Sequence, residues 1–322
     1  MSVLLTVIQG AAAQGVLWGV MALGVYITYK LLDIADLTVD GSFALGGCVC
    51  AAMIITRGMN PFAATIIAII AGLIAGAATG ILHSVFGIPA ILSGILTQIS
   101  LWSINLRIMG GKSNIPLLNN ETVISKFVGR SGNTVVATAS NLAKSLNLNQ
   151  SQASLIIGVI VVIAVILLLY WFFGTEIGCA LRATGNNEDM IRALGVNTKM
   201  TKLLALMLSN GLVALAGALV CQSQKYADIS MGKGAIVIGL AAIIIGEVFM
   251  KRFTNFGIKL LSAVVGAIVY FIIRAFVLRL GMNANDMQLL SAIIVALALC
   301  VPIVTKKIKD KHAYQEGDVD EC

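Results

Sequence analysis

The residues of this chain best suited to chemistry are small polar ones placed at the mouths of apolar runs. Asp36, Thr38, Asp40 and Ser42 stand at alternate positions in Ala35-Asp-Leu-Thr-Val-Asp-Gly-Ser-Phe-Ala-Leu-Gly-Gly47, and Asp228 and Ser230 recur in Ala227-Asp-Ile-Ser-Met-Gly-Lys-Gly-Ala-Ile-Val-Ile-Gly239. Both segments read Ala-Asp, aliphatic, hydroxyl, aliphatic, then a Gly-containing apolar run. A helix that starts inside a membrane exposes free N–H groups, which hold a polar solute without burying a charge. The six residues are therefore candidates for a solute pathway. The plainer alternative is that each Asp, Ser or Thr caps a helix at the membrane surface.

Covalent catalysis has no comparable support. Ser93 and His83 fall in different runs with no supporting group, so an intramembrane enzyme has no nucleophile and base to use. The six cysteines (Cys48, Cys50, Cys179, Cys221, Cys300, Cys322) lack zinc-ligand spacing and form no disulfide framework, and two histidines are too few for a histidine metal site. Catalytic residues and metal ligands are accordingly expected to be absent. Gly110-Gly-Lys-Ser113 looks like the end of a phosphate loop, but Leu106 stands where its first glycine is required.

The elements that must position these groups are set by composition. Of 322 residues 58% are hydrophobic and 11% charged, with a mean hydropathy of +0.95. A soluble domain is about one quarter charged, so this is an all-α polytopic membrane protein. The net charge of +7 does not point to nucleic acid, because the basic residues sit singly or in pairs at the ends of apolar runs. Apolar runs at about 10–29, 42–56, 61–83, 88–106, 153–174, 203–222, 234–250, 257–280 and 287–305 predict about nine transmembrane helices, some of them broken. The run at 42–56 is too short alone, so it is either broken or extended into the polar residues before it.

An odd number of crossings separates the termini. The tail Lys306-Lys-Ile-Lys309 with Lys311 puts the C-terminus in the cytosol and the N-terminus outside. No basic region precedes the first run, which reads as a retained helix rather than a signal. Residues 1–306 then form the transmembrane domain, 110–152 an extracellular loop with one amphipathic piece at Val123–Val128, and 307–322 a cytoplasmic tail. In this orientation the two Asp-containing segments precede helices of opposite direction and are inverted repeats. Further polar candidates within spans are Gln98, Ser100, Ser103 and Asn105, which share part of one helical face, and Ser209 with Asn210; they either line the route or bond neighbouring helices. Glu247 lies one turn from Lys251 and is expected to pair with it, while Arg274 and Arg279 snorkel near an outer end.

Between two long uncharged runs lies the polar stretch 178–196. Asn186 or Asn187 suits an N-cap, Glu188 and Asp189 the positive first turn, and Gly195 the stop. Met190, Ile191, Ala193 and Leu194 offer apolar contact, and Arg182 and Arg192 add charge. A short amphipathic helix held between two spans fits a groove on a cytosolic protein; the alternative is an ordinary interfacial loop helix.

The motif Gly178-Cys-Ala-Leu-Arg-Ala183, with Asn186/Asn187 and Ala193-Leu-Gly195, resembles the cytoplasmic coupling segment of the ATP-binding-cassette importer permeases serving branched-chain amino acids, ribose and related solutes. Asp36-Leu-Thr-Val-Asp-Gly-Ser42 resembles that family's early helix break, and Leu215-Ala-Gly-Ala-Leu219 and Gly239-Leu-Ala-Ala242 also suit it. The likeness covers about residues 10–306. Cys179 and Glu247 depart from the pattern, standing where relatives tend to have a basic residue and glycine. The resemblance implies a type II importer fold in a bacterial cell membrane and a dimer with a second permease copy. It also implies two cytosolic ATPases, which bind the ATP, and an external solute-binding lipoprotein. The expected function is transport of a small polar solute by a chain with no cofactor of its own. The wording of the first motif is most similar to a subgroup linked to amino acids, including aromatic ones. A secondary transporter driven by an ion gradient is the main alternative, since inverted repeats and membrane-depth carboxylates serve that class too.

Overall fold

The computed structural model describes residues 2–118, 120–127, 150–250, 255–281, 286, 289, 291–297 and 300. Helices α1 (Ser2–Tyr26), α2 (Thr38–Arg57), α3 (Pro61–Ser84) and α4 (Ala90–Ile108) come first. Strand β1 (Asn114–Pro116), the short α5 (Val123–Phe127) and the long α6 (Gln150–Phe173) follow. Two short helices, α7 (Glu176–Asn186) and α8 (Glu188–Ala193), lead to α9 (Thr198–Gln224), β2 (Tyr226–Asp228), α10 (Ala235–Phe249) and α11 (Phe256–Arg279).

Seven of these helices are long and apolar enough to cross a membrane, namely α1 with its π-helical end, α2, α3, α4, α6, α9 and α11. Of the nine runs in the sequence, 234–250 becomes the 15-residue α10, too short for a full crossing, and 287–305 lies mostly outside the described residues, as does the tail 307–322. The uncertain run at 42–56 resolves by extension, because α2 begins four residues earlier at Thr38. Helix ends follow local chemistry. Asn60 accepts from Phe62 N with Pro61 in the first turn of α3, and Asn197 accepts from Met200 N at the start of α9.

Helices α1, α2 and α9 form the core, and α3, α4 and α6 leave large apolar faces outward at Ile66, Ile70, Ile74, Ile99, Ile160 and Leu167. Apolar surface of this extent suits lipid rather than water. The core helices touch backbone to backbone. A Cβ on Gly217 would lie 2.0 Å from the Phe43 carbonyl oxygen, and one on Gly46 2.0 Å from that of Ala214, so only glycine permits this crossing of α2 and α9.

The 27-residue α9 defines two ends of the bundle, about 40 Å apart at 1.5 Å per residue. At one end β1 pairs antiparallel with β2, Ile115 opposite Ala227. There α5 is fastened by Val123 N donating to Gln222 Oε1 at 2.8 Å. Of the predicted amphipathic piece, Val123 and Ile124 are buried and Val128 lies outside the described residues. At the other end lie α7 and α8.

Candidate functional site

The two Asp-containing segments fold alike. Asp36 Oδ1 accepts from Thr38 N at 2.9 Å, and Asp228 Oδ1 accepts from Ser230 N at 2.7 Å and from the Ser230 hydroxyl. Each aspartate therefore closes a turn two residues long before a helix. Each also uses its second oxygen on an asparagine: Asp36 Oδ2 accepts from Asn210 Nδ2 at 2.7 Å and Asp228 Oδ2 from Asn114 Nδ2 at 3.2 Å. Helix α2 runs beside α9 toward the β end, with Ser42 on Asn210 and Cys50 on Gln222. Helix α10 runs beside α1 the other way, with Gly239 against Val25 and Glu247 on Lys30. Opposite direction with equal local turns is the inversion expected from the sequence.

The equivalent positions four residues after each first aspartate are Asp40 and Gly232, and they touch: a Cβ on Gly232 would lie 1.9 Å from the Asp40 carbonyl oxygen. The Asp40 carboxylate crosses to the other repeat and accepts from Gly234 N at 3.0 Å and Ile236 N at 2.9 Å. It thus caps α10, whose own N-cap Gly234 has no side chain to do so. No reciprocal cap is possible, because position 232 is glycine. The alternatives for Asp40 separate here, since capping occupies its carboxylate, although the helix it caps is not its own.

Asp36, Thr38, Ser42 and Asn210 form a buried knot midway along α9. Asn210 Oδ1 accepts from Ser42 Oγ at 2.6 Å, the Thr38 and Thr79 hydroxyls meet at 2.7 Å, and Ser209 Oγ donates to the Gly24 carbonyl at 2.8 Å. This ties the turn after α1 to α2, α3 and α9 in a low-dielectric interior, where satisfied polar networks specify packing. Asp228 and Ser230 stand apart at the β end, more accessible, where the bonds to Ser230 and Asn114 outweigh desolvation and hold the Asp228 carboxyl below its ordinary pKa. Gln98 is half-buried where α4 meets Gly41, and Asn105 is buried with an unpartnered Oδ1. The candidates are thus not one cluster but a central knot, an inter-repeat cap, a turn at the β end and two positions on α4.

A separate cleft of about 730 Å³ opens between α1, α10 and α11 near the β end, reaching Gln14, Trp18, Lys233, Phe271 and Arg274. Sequence reading missed it as a unit. The signal available was the snorkelling Arg274, while Gln14 and Trp18 sit in a run that looked uniformly apolar. Among the described residues no group of three His, Cys, Asp or Glu is placed to hold a metal ion.

At the opposite end the stretch 178–195 forms two helices rather than one. Thr175 caps α7 by accepting from Gly178 N, and Asn187 caps α8 by accepting from Met190 N at 3.0 Å. Gly195, at φ +85°, ends α8 while Val196 N reaches back to Ile191 O. Glu188 Oε2 takes Lys202 Nζ at 2.5 Å and Oε1 takes Arg192 at 2.8 Å; Asp189 lies 3.7 Å from Arg192. The Lys202 hydrogen bond chiefly holds the Glu188 carboxyl below its ordinary pKa, against a smaller effect of burial.

This pair of helices is braced on several spans. The Arg182 guanidinium lies 4.6 Å from the Phe256 ring centre at the start of α11, and Thr184 Oγ1 meets Thr201 Oγ1 at 3.2 Å. Gly185 packs on the Leu31 carbonyl closely enough that a Cβ would lie 1.7 Å away. Ile191, expected to face a partner, is instead turned inward at 6% exposed, because the short helix must seat one residue against the bundle. Met190 at 52% and Leu194 at 72% remain outside. Glu247 pairs with Lys30 at 2.8 Å, joining the ends of α1 and α10, a contact the sequence did not suggest; the expected partner Lys251 lies outside the described residues.

The chain matches the family described as branched-chain amino acid transport system / permease component over residues 7–299. It is 39% identical over 300 residues to a tyrosine transport system permease protein of Clostridioides difficile, covering 93% of this chain and 92% of that one. It is 25% identical to a fructose import permease protein of Bifidobacterium longum, over 83% of this chain and 68% of the relative. A ribose import permease protein of Escherichia coli is 22% identical over 88% and 81% of the two chains. No solved structure matches it. With helices suited to cross a membrane, a broken inverted repeat and two short helices braced on α1, α9 and α11, this chain belongs to the permease-component family of the branched-chain amino acid transport systems.

Proposed function

We propose that this permease imports an amino acid under the drive of a separate ATPase that grips α8 through Met190 and Leu194. The observation that carries the reading is the form of this lever: two large apolar side chains, Met190 and the C-cap Leu194, stand exposed on a short helix that is seated on the bundle through Ile191 and through the Glu188–Lys202 ion pair. A push on α8 passes to α9 through Glu188 and Lys202, and to α11 through α7 and Arg182. The coordinated tilt of those spans opens the bundle alternately to its two ends, a population shift between two packings favoured by different ligands.

In this reading the α7–α8 end faces the cytosol, the β1–β2 end faces out, and the N-terminus is external. The basic tail Lys306-Lys-Ile-Lys309 and the basic residues around α8 support that orientation. The chain itself hydrolyses nothing and holds no cofactor, because ATP belongs to the partner. A second permease copy completes the bundle, lipid surrounds it, and a solute-binding lipoprotein delivers cargo at the β end. An amino acid is favoured as cargo by the likeness to the tyrosine transport permease of Clostridioides difficile. The knot around Asp36 and Asn210 acts as the joint whose hydrogen bonds must exchange as the helices move.

Uptake of radiolabelled amino acids into proteoliposomes, with permease, ATPase and receptor together, tests this. Uptake that requires internal ATP and stops with vanadate is expected; uptake that ignores vanadate but collapses with an uncoupler would overturn it.

A further inference from the structure

The helices of the bundle divide into two bodies. The regular part of α1 packs backbone to backbone on α11, where a Cβ on Gly15 would lie 2.6 Å from the Ile268 Cα, and α11 packs likewise on α10, where one on Gly266 would lie 1.8 Å from the Ala242 carbonyl oxygen. On the other side α3 is pressed onto α9, with a Cβ on Gly76 2.3 Å from the Leu206 carbonyl oxygen, and α2 meets α9 at Gly46 and Gly217. Backbones this close cannot slide past one another without collision, so α1, α10 and α11 move together, and so do α2, α3 and α9. The two bodies touch midway along α9, at Gly24 against Ser209 and at Asp40 against Gly232.

On the α7 side of those touching points the chain crosses from one body to the other through an irregular joint. Five π-helical residues, Ile27–Leu31, end α1 with widened bonds: Leu32 N donates to Ile27 O at 3.2 Å and Ile34 N to Thr28 O at 2.9 Å. Asp33 follows at φ +56°, left-handed backbone that a residue with a Cβ adopts only when its surroundings hold it there. Short π-helical turns of this kind interrupt a span where its pitch can change. Two contacts hold the joint. Lys30 Nζ takes both Glu247 oxygens at the end of α10, at 2.8 and 3.1 Å, and Gly185 of α7 presses on the Leu31 carbonyl with no side chain to yield between them. The side chains of the ion pair are 47% and 39% exposed, and a pair so open to solvent contributes little stability. It is weak enough to break and re-form in each cycle.

Resting on the importer reading above, we infer that the π-helical turn Ile27–Leu31 is the hinge between the two bodies and that the Lys30–Glu247 pair is the latch that holds it in the resting state. Movement of α7 shifts Leu31 through the Gly185 contact and turns Lys30 off Glu247. The bodies then tilt about Gly24 and Asp40. Arg182, the other cation of α7, stays on the Phe256 ring and carries α11 with it.

The test uses the permease–ATPase–receptor complex in lipid nanodiscs, with amide hydrogen exchange over residues 27–34 and 188–194 and with ATP hydrolysis as readouts. Vanadate trapping is expected to speed exchange over 27–34. Loss of an exposed pair moves a two-state balance by up to about fivefold, so Lys30→Met and Glu247→Gln should each raise receptor-independent ATP hydrolysis about two- to fivefold and bring exchange over 27–34 toward the trapped value. Lys30→Glu combined with Glu247→Lys should restore both. Exchange over 27–34 that ignores trapping, single variants that lower only the melting temperature, or a swapped pair that leaves hydrolysis high would overturn the inference. Residues 188–194 separate it from the importer reading. Protection there by the ATPase with no change over 27–34 sinks only the hinge, whereas absence of protection sinks the importer. In that case the latch is judged on the permease alone, where Glu247→Gln must still speed exchange over 27–34.

Discussion

Removing the carboxylate of Asp40 should uncouple the two repeats at their contact. The side chain accepts two backbone N–H bonds from α10, at 3.0 and 2.9 Å, and nothing on Gly234 can replace it. A hydrogen bond to a charged group contributes about 1.5–3 kcal/mol. Asp40→Ala, which leaves both N–H groups unpaired inside the bundle, should therefore cost about 3–5 kcal/mol. Asp40→Asn keeps one neutral acceptor and should cost about 1–2 kcal/mol, near an ordinary lost cap. Since whole domains are stable by about 5–15 kcal/mol, the alanine variant should also fall in abundance. Reversible unfolding of purified permease in a detergent series gives the free energies, and uptake normalised to copies per vesicle gives function. The capping argument fails if Asp40→Ala unfolds within about 0.5 kcal/mol of the parent while uptake disappears, because the carboxylate would then serve solute rather than structure. It fails equally if Asn and Ala cost the same.

Leu194→Asp and Met190→Asp should each abolish pull-down of the ATPase with membrane insertion intact, whereas Ile191→Asp should first lower thermal stability, since that side chain is seated in the bundle. Co-purification and melting curves on the same samples separate the two effects. Gly217→Val should prevent accumulation of folded protein, because its Cβ would strike the Phe43 carbonyl, while Gly58→Ala, with open space but φ of +57°, should cost about 1 kcal/mol; expression and melting report both. Glu188 has a lowered folded pKa, so its contribution is complete above its ordinary value of 4.5 and is lost as pH falls through the depressed one. Lys202→Met should therefore shrink the loss of stability on acidification below about pH 4.5, read from melting temperature against pH.

Much of the architecture was legible in the residues alone. An apolar run long enough to cross lipid admits little but a helix, which is why seven spans stand where the runs are. Asn187 and Gly195 end α8 as their side-chain and backbone chemistry requires, because a cap acts over three or four residues. The Asp-x-Thr and Asp-x-Ser turns likewise announced the repeat. Glu247 was assigned to Lys251 because a single chain offers only neighbours; its partner Lys30 is brought in by the packing of α10 against α1.

Composition and short-range pattern thus determined a polytopic helical membrane protein with an inverted break and a short polar helix between two spans, since each depends on hydrogen bonds closed within a few residues; the permease assignment rested on the resemblance of its motifs to a known family. Tertiary structure alone decided that Asp40 caps a helix of the other repeat, that Ile191 turns inward, and that Gln14, Trp18, Phe43 and Phe271 meet at one cleft. The reason is that helix crossings are fixed by where backbones can touch, as at Gly46 and Gly217, and a shift of one residue in that register would send every one of those side chains to a different neighbour.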